Sequence, residues 1–491
     1  YNLKPADGAV DGVSIASADI TVTDAASKAN ADTLNTYTDQ QVTLQSVEDN
    51  YNNLILIDGL TTSEVSMAAA AVKVTDSVNK TKVDTLLGDT TGTVTIAILD
   101  ENKSDIDIIG KNDYASDHAN VKYNRASLAG ATINVSDVVN KTEAERIAGY
   151  LDGSGSAVLS DFTGTASEFT AKAGTTGINA RINAASSTVT VTDAVSLSTA
   201  NSLNTLAGAK VTLQSVEDNY LNLIAIDNIN SAQVAMAAAA VKVTDSVDKT
   251  KVDALLADTT GTVTVELITE SASNLKLIGK SDYGVGHANV EYDTLSLAGA
   301  ALTVTGTTNK ADALVLKGYA TAGGASGTVT LQGASGSLTD LQALHDDSSI
   351  DISTASISIT GTVSKGNLTT ANTFTNKTVT VANTFSGSYT DMTDIYGVRP
   401  TGGGVDGVDI STASITLTGT INKSKASTVN GYTNKTVTIQ TLSDTLSNVT
   451  DVYNLKPADG AVDGVSIASA DITVTDAASK ANADTLNTYT D

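Results

Sequence analysis

Aliphatic residues alternate with polar ones in a signature that recurs along the chain. It reads ITVTD ending at Asp24, VKVTD at Asp76, INVSD at Asp137, VTVTD at Asp193 and VKVTD at Asp245, then LTVTG at Gly306, ISITG at Gly361, ITLTG at Gly419 and ITVTD at Asp476. Counting back from the closing Asp or Gly, positions −4 and −2 are aliphatic in every copy, from Ile20/Val22 and Val72/Val74 to Ile415/Leu417. The interleaved positions are Thr, Lys, Asn or Ser. A period of two with β-branched residues predicts a strand with one buried and one wet face.

A polar turn such as Asn79-Lys80 or Asn422-Lys423 is expected after each closing residue. Apolar residues then fall three apart, as in Ala31/Leu34/Tyr37, Ala144/Ile147/Tyr150, Ala200/Leu203/Leu206, Leu368/Ala371/Phe374 and Ala426/Val429/Tyr432. That spacing places them on one face of a short helix. A second alternating strand follows, with examples at 42–46, 93–98, 262–267, 378–383 and 436–441. A polar helix or turn comes next, such as SDTLSNVTDVY at 443–453, and then a third extended stretch such as VSMAAA or VDISTA.

The closing residues define units of about 56 residues, and eight of them make a super-repeat. Residues 453–491 are identical to residues 1–39, so the sequence re-enters itself after 452 residues. Within it, VTLQSVEDNY at 42–51 returns at 211–220 and MAAAAVKVTDSV at 67–78 returns at 236–247. A unit this short cannot bury its apolar stripe alone, so neighbours must stack. The expected architecture is mainly β with short helices: one continuous, elongated, right-handed parallel β-solenoid over residues 1–491, built from about eight β-α-β-α-β units. One coil per unit is the economical arrangement. Two shorter βα coils per unit, as in leucine-rich repeats, is the rival. The repeated ends lead us to read the 491 residues as a window on a longer tandem array.

Composition narrows the function. With 29 basic against 55 acidic residues the net charge is −26, unfavourable for binding nucleic acid. The absence of Cys removes disulfides and thiolate-ligated metals. No apolar run approaches the length of a membrane span.

Candidate chemistry is sparse. His118 and His287 sit in duplicated HANV segments, and His345 lies in a polar Leu-His-Asp-Asp stretch. No nucleophile elbow, P-loop, HExxH or dinucleotide fingerprint occurs, so no catalytic residue and no enzyme activity is expected. Calcium is the one cofactor considered. Asp100, Asn102 and Asp105 place oxygen ligands as calcium loops do, and Asp406 and Asp409 lie in or near the glycine-rich stretch that starts at Gly402. Neither segment has a complete calcium-loop pattern. The outward Thr-x-Thr pairs (Thr21/Thr23, Thr190/Thr192, Thr303/Thr305, Thr416/Thr418) suggest an ice-binding face, but Lys73, Asn134 and Lys242 interrupt it.

The recurring pattern ITVTDA, then KA.AL..Y, then GTVTLQ resembles the tandem-repeat regions of giant bacterial surface and secreted proteins. These include the surface proteins of cyanobacteria and RTX-associated adhesins. The resemblance implies an extracellular or cell-surface stalk, sheath or fibre whose partners are copies of itself. An adhesin module with calcium-bridged acidic loops, binding glycans or surface polysaccharide, is the alternative. A polysaccharide-active β-helix enzyme is the third reading.

Overall fold

The computed structural model describes residues 14–60, 64–110, 121–151, 154–172, 182–183, 188–206, 210–229, 233–279, 292–401, 406–456 and 463–490. The chain divides into two compact units, Tyr1–Ala240 and Val241–Asp491.

The first unit opens with β1 (Ile20–Ala26), α1 (Lys28–Asn35), β2 (Val42–Asp49), α2 (Tyr51–Asp58) and β3 (Val65–Ser66). It continues with β4 (Ala71–Val78), α3 (Lys80–Asp89), β5 (Val94–Glu101), α4 (Lys103–Ile109), β6 (Ala126–Ser127), β7 (Thr132–Val139), α5 (Lys141–Gly149) and β8 (Ser156–Gly164). Then come α6 (Ala166–Lys172), β9 (Ile182–Asn183), β10 (Thr188–Val195), α7 (Leu197–Leu206), β11 (Val211–Asp218), α8 (Tyr220–Asp227) and β12 (Val234–Ala235). Among the described residues all pairing is parallel, and each long strand pairs with the next long strand, past the two-residue strands β3, β6 and β9. Ile20 registers with Val42, Val47 with Val72, Val72 with Val94, Leu99 with Ile133 and Phe162 with Val189.

The second unit follows the same rule, with Val241 against Val263, Ile268 against Leu302, Leu302 against Val329 and Ala334 against Ile357. At Gly361 the ladder divides. Ile357 pairs with Val379, while Phe385 pairs with Ile415 and Ile415 with Val437.

The alternation predicted from sequence is the core of each unit. Val72, Val74, Ile133, Val135, Val189, Val191, Val241, Val243, Leu302, Val304, Ile357, Ile359, Ile415 and Leu417 are all buried. The three-residue helix spacing is also real: Ala31, Ala144, Ile147, Ala200, Leu203, Leu368, Ala371, Ala426 and Val429 are buried against the sheet. Removing these faces from water drives the fold, at about 25 cal/mol per Å² of apolar surface.

Three expectations need correction. The class is α/β, not mainly β, because a helix of 7 to 11 residues follows nearly every long strand. The stretch read as a helix or turn at 443–453 is largely the helix Leu446–Asn454, with Val449 and Val452 buried. The third extended stretch contributes strands of only two or three residues, such as β3 and Gly407–Asp409. Second, the first strand of a repeat pairs with the second strand of that repeat, not with the first strand of the next. A parallel α/β sheet with two βα turns per repeat therefore replaces the predicted β-solenoid of one coil per unit. Third, the closing Asp or Gly does not end its strand in most repeats, although strands Ser356–Ile359 and Asp471–Val474 do stop short of Gly361 and Asp476. β4 runs on past Asp76 to Val78, and its register against β5 slips between Val74 and Ser77. Two residues there face one on the partner, which makes a β-bulge. The helix cap comes later: Asn79 accepts from the Lys82 N–H.

Candidate functional site

The bulge explains why the signature carries Asp. At the bulge the strand bends and re-aims the Asp side chain towards the start of the preceding helix. The Asp76 carboxylate accepts the Tyr51 N–H at 2.6 Å, Asp137 accepts the Lys103 N–H at 2.8 Å, Asp193 the Ala166 N–H at 2.8 Å and Asp476 the Leu446 N–H at 2.8 Å. The alternate helices are served from strand ends. Lys28 donates to Asp49 at 2.9 Å, Lys80 to Glu101 at 3.3 Å, Leu197 to Asp218 at 3.0 Å, Lys249 to Glu270 at 3.3 Å and Lys423 to Asp444 at 2.9 Å. Each donor is the first helical N–H, one of the groups a helix cannot satisfy internally, and each acceptor is a charge at the positive end of a helix dipole. The acidic composition thus has a structural use. A carboxylate from one strand caps the helix that precedes it.

Electrostatics follow from these contacts. Burial pushes the Asp49 carboxyl up, but the Lys28 N–H, the Asn53 amide and the Asn50 N–H outweigh it and hold Asp49 below the usual carboxylate range. Asp218 and Asp444 are held low in the same way, by Asn222 and the Leu197 N–H in one case and by Asn448 and the Lys423 N–H in the other. Glu270 is also lowered, by the Ser271 N–H, Asn274 and the Lys249 N–H against burial. Its duplicate Glu101 moves the opposite way, raised by burial and by the neighbouring Asp105.

The calcium candidates fall into this framework. Asp100 accepts from Ser77 and Asn134, across three strands of the wet face. Asn102 is the cap of α4. It accepts the Asp105 N–H at 3.0 Å and donates to Asp105 at 2.8 Å. Asp409 accepts the Ser411 N–H at 2.8 Å in a tight turn, and Asp406 is exposed. The alternate oxygens at 100–105 are therefore a strand end running into a helix cap. Among the described residues, no three His, Asp or Glu side chains gather as metal ligands would. His118, His287 and residues 402–405 lie outside the described residues. His345 ends the helix Leu338–His345, stacked on Phe374 with ring centroids 4.7 Å apart.

Other polar clusters are tethers between turns. Arg146 grips Asp107 with two hydrogen bonds, at 2.9 and 2.6 Å, and Tyr150 donates to the same carboxylate at 2.8 Å. Burial and Asp107 push the Tyr150 phenol up to about 12, so it stays protonated as a donor. Tyr123 donates to Asp84 at 2.7 Å, and its duplicate Tyr292 donates to Asp253 at 2.9 Å. On the Thr-bearing face, Lys73 pairs with Glu48 and Lys242 with Glu266, both at 2.7 Å. Long ion pairs break up a flat Thr array there.

Two recurring devices were missed in the sequence. The strand-end acids Asp49, Glu101, Asp218, Glu270 and Asp444 share a spacing with the first strand that would have exposed them. The other is a Thr just after a helix, which donates its hydroxyl to the corner Ala carbonyl about twenty residues earlier. Thr90 reaches Ala70 at 2.7 Å, while Thr38–Ala18, Thr375–Ala355 and Thr433–Ala413 are all at 2.6 Å. No protein-family model matches the chain, and no curated protein matches it in sequence. No helix among the described residues is long and apolar enough to cross a membrane.

Proposed function

We propose that this chain is a structural repeat segment of an extracellular bacterial filament, sheath or surface-layer stalk, in which βα turns continue as an elongated array. Its partners are then copies of itself, joined covalently in tandem and head to tail. One observation carries the reading: the pairing offset recurs. Ile20–Val42, Val72–Val94, Val189–Val211, Val241–Val263, Ile357–Val379 and Ile415–Val437 are each 22 residues apart, despite diverged sequences. The offset widens only to 24 at Ile133–Ala157 and 27 at Leu302–Val329, and a recurring offset with interlocking helix caps serves continuation. Electron microscopy of native material tests the proposal. Uniform fibres with an axial repeat set by the 452-residue block are expected, and discrete globular particles would overturn it.

The second reading is an adhesin module with calcium-bridged acidic loops that holds glycans. The crowding of Glu101 against Asp105 favours it at one place, since a cation would relieve that repulsion. A calcium titration followed by thermal melting separates the two. The structural reading expects a small change, whereas a large rise in Tm would favour the adhesin.

A further inference from the structure

Two pairs of tyrosines in the second compact unit lie face to face. Tyr396 and Tyr432 have ring centroids 3.8 Å apart and planes 13° from parallel, and Tyr453 and Tyr489 are 3.9 Å apart at 10°. Aromatic pairs left to themselves prefer offset or edge-on arrangements with centroids about 4.5–7 Å apart. The close overlap is therefore imposed by the fold. Tyr396 lies in the last turn of the helix Tyr389–Gly397, and Tyr432 follows the helix Lys423–Asn430 as the last member of the series Ala426/Val429/Tyr432. Those helices pack side by side, which sets one ring on the other. The partners are 36 residues apart in both pairs.

A cation helps to hold each overlap. The Arg399 guanidinium lies 3.8 Å from the Tyr396 centroid, as close as Tyr432, so the two occupy opposite faces of the ring. Arg399 is anchored there by donating to the Tyr396 carbonyl at 2.7 Å. Lys456 lies 4.6 Å from the Tyr453 centroid. Attraction of a cation to the ring offsets the repulsion between overlapping π faces. With one face on Tyr432 and the other under Arg399, Tyr396 has no free face for a sugar.

Other repeats tie neighbouring turns differently. Tyr150 and Tyr319 lie against Gly110 and Gly279, so closely that a Cβ on either glycine would come within 2.4 and 2.2 Å of the ring. Elsewhere His345 stacks on Phe374, which brings no phenol. Tyr123, Tyr150 and Tyr292 donate to carboxylates. At Tyr396–Tyr432 and Tyr453–Tyr489, two phenols share one contact.

We propose that Tyr396–Tyr432 and Tyr453–Tyr489 are oxidative coupling sites, each convertible to dityrosine, which would give this cysteine-free chain covalent ties between neighbouring turns. Hydrogen peroxide acting through a haem peroxidase is the oxidant. Each phenol gives up one electron and its hydroxyl proton, and the resulting phenoxyl radical shares its unpaired spin with the carbons ortho to oxygen, Cε1 and Cε2. The two radicals join through one ortho carbon of each ring. Each joined carbon then passes its hydrogen, as a proton, to the oxygen of its own ring and so restores the phenol. One C–C bond forms and two C–H bonds are lost. The two electrons and two protons released reduce one hydrogen peroxide to two waters. Burial and the neighbouring Tyr389 and Tyr396 push the Tyr432 phenol up, so it keeps its proton until oxidation removes it. Tyr396 and Tyr432 are only half-buried, which leaves them within reach of the oxidant. The preset overlap gives each ring an effective concentration of its partner that a tyrosine on another molecule does not match. The inference stands apart from the filament reading, since it needs only two adjacent turns.

The test oxidises the full chain, in dilute solution, with a haem peroxidase and hydrogen peroxide, and maps the products by peptide mass spectrometry. Two linked peptides are expected, joining Tyr396 to Tyr432 and Tyr453 to Tyr489. Each is lighter than its two parts together by two hydrogens, and dityrosine fluorescence is expected in the monomer fraction. Tyr396→Phe keeps a ring in the stack but removes the phenol. It is expected to abolish the first link and lower the fluorescence while the second link persists, and Tyr453→Phe to do the converse. The chain has 15 tyrosines, so indiscriminate coupling would scatter links over other positions. Links that fall mainly on those other tyrosines would overturn the proposal. So would fluorescence confined to multimers, a Tyr396→Phe chain as fluorescent as the parent, or a folded chain that forms no link.

Discussion

The repeats closed by Asp and those closed by Gly solve one geometric problem in two ways. At Asp76, Asp137 and Asp193 the bulge is made without positive φ, since no described residue other than Gly has one, and the side chain caps the preceding helix. At Gly306, Gly361 and Gly419 the backbone turns left-handed, with φ of 74°, 84° and 77°, and no carboxylate is available. Two of the helices facing these glycines carry their own acid at the third position. Asp340 works with Ser337, and Asp391 with Ser388, in the helix's own first turn. Those serines hold both carboxyls low. The helix Ala272–Ile278, before Gly306, has only the Ser271 hydroxyl. The source of the capping charge is thus exchangeable between repeats, while the bulge recurs in most of them and gives way at Gly361 to a divided ladder.

The largest effect is expected where the backbone alone is at stake. A Cβ at Gly306 or Gly419 would meet nothing within 4 Å, so any cost of substitution lies in conformation. Gly419→Val is expected to destabilise its strand pair by about 2 kcal/mol, the scale of a left-handed L-residue. Hydrogen exchange across Ser414–Ile421 measures it locally, which suits a repeat protein better than a global melt. If exchange there is unchanged, the left-handed bulge is not needed. Asp137→Ala comes next, at about 1 kcal/mol for a lost cap. Faster exchange of the Lys103 amide and of α4 checks it, and an equal loss at β7 would mean the Asp shapes the bulge instead.

The parts of this comparison differ in legibility. Strand alternation at Val72/Val74 and helix spacing at Ala144/Ile147 could be read directly, because burying one face forces periods of two and about 3.6. The bulge could not, since Asp and Gly at a strand end also suit a turn and only the onward run of Ser77 and Val78 tells them apart. The pairing order was hidden for a similar reason. First and second strands share one pattern, so alternation cannot say which neighbour each prefers. The caps were invisible because Asp137 reaches Lys103 across 34 residues. Asp100, Asn102 and Asp105 looked like metal ligands because helix caps and calcium loops draw on the same oxygen-bearing residues.

A pH series sharpens the difference between the two sources of charge. Asp49, Asp218 and Asp444 have folded pKa values below their unfolded value of about 4. Their stabilisation is fully present above that pH and is lost as pH falls through the folded pKa. Melting is therefore expected to weaken on acidification below about pH 4. Asp218→Asn is expected to flatten that dependence while lowering stability at neutral pH by less than about 1 kcal/mol. An unaltered acid limb would show that the Leu197 N–H gains nothing from the charge.

The smallest effect discriminates most finely, because the two positions compared are duplicates. Glu101 and Glu270 cap equivalent helices through equivalent N–H groups, at 3.3 Å in both cases. Four residues on, the first block has Asp105 and the second has Asn274. The helix after Glu101 also receives Asp137 from the next turn and carries Asp105 in its own first turn, so two acids lie at one N-terminus with Glu101 beside them. A raised folded pKa means that the charged Glu101 loses stability as pH rises through it, and the lowered Glu270 does the reverse. Gln keeps an acceptor oxygen for the helix N–H in both places. Glu101→Gln is accordingly expected to be neutral or to stabilise by a few tenths of a kcal/mol at pH 7, and Glu270→Gln to destabilise by a similar amount. Exchange of the Lys80 and Lys249 amides would report each change at its source, and shifts of the same sign would remove Asp105 as the cause. Asp105→Asn in the same background should then make the two duplicates respond alike.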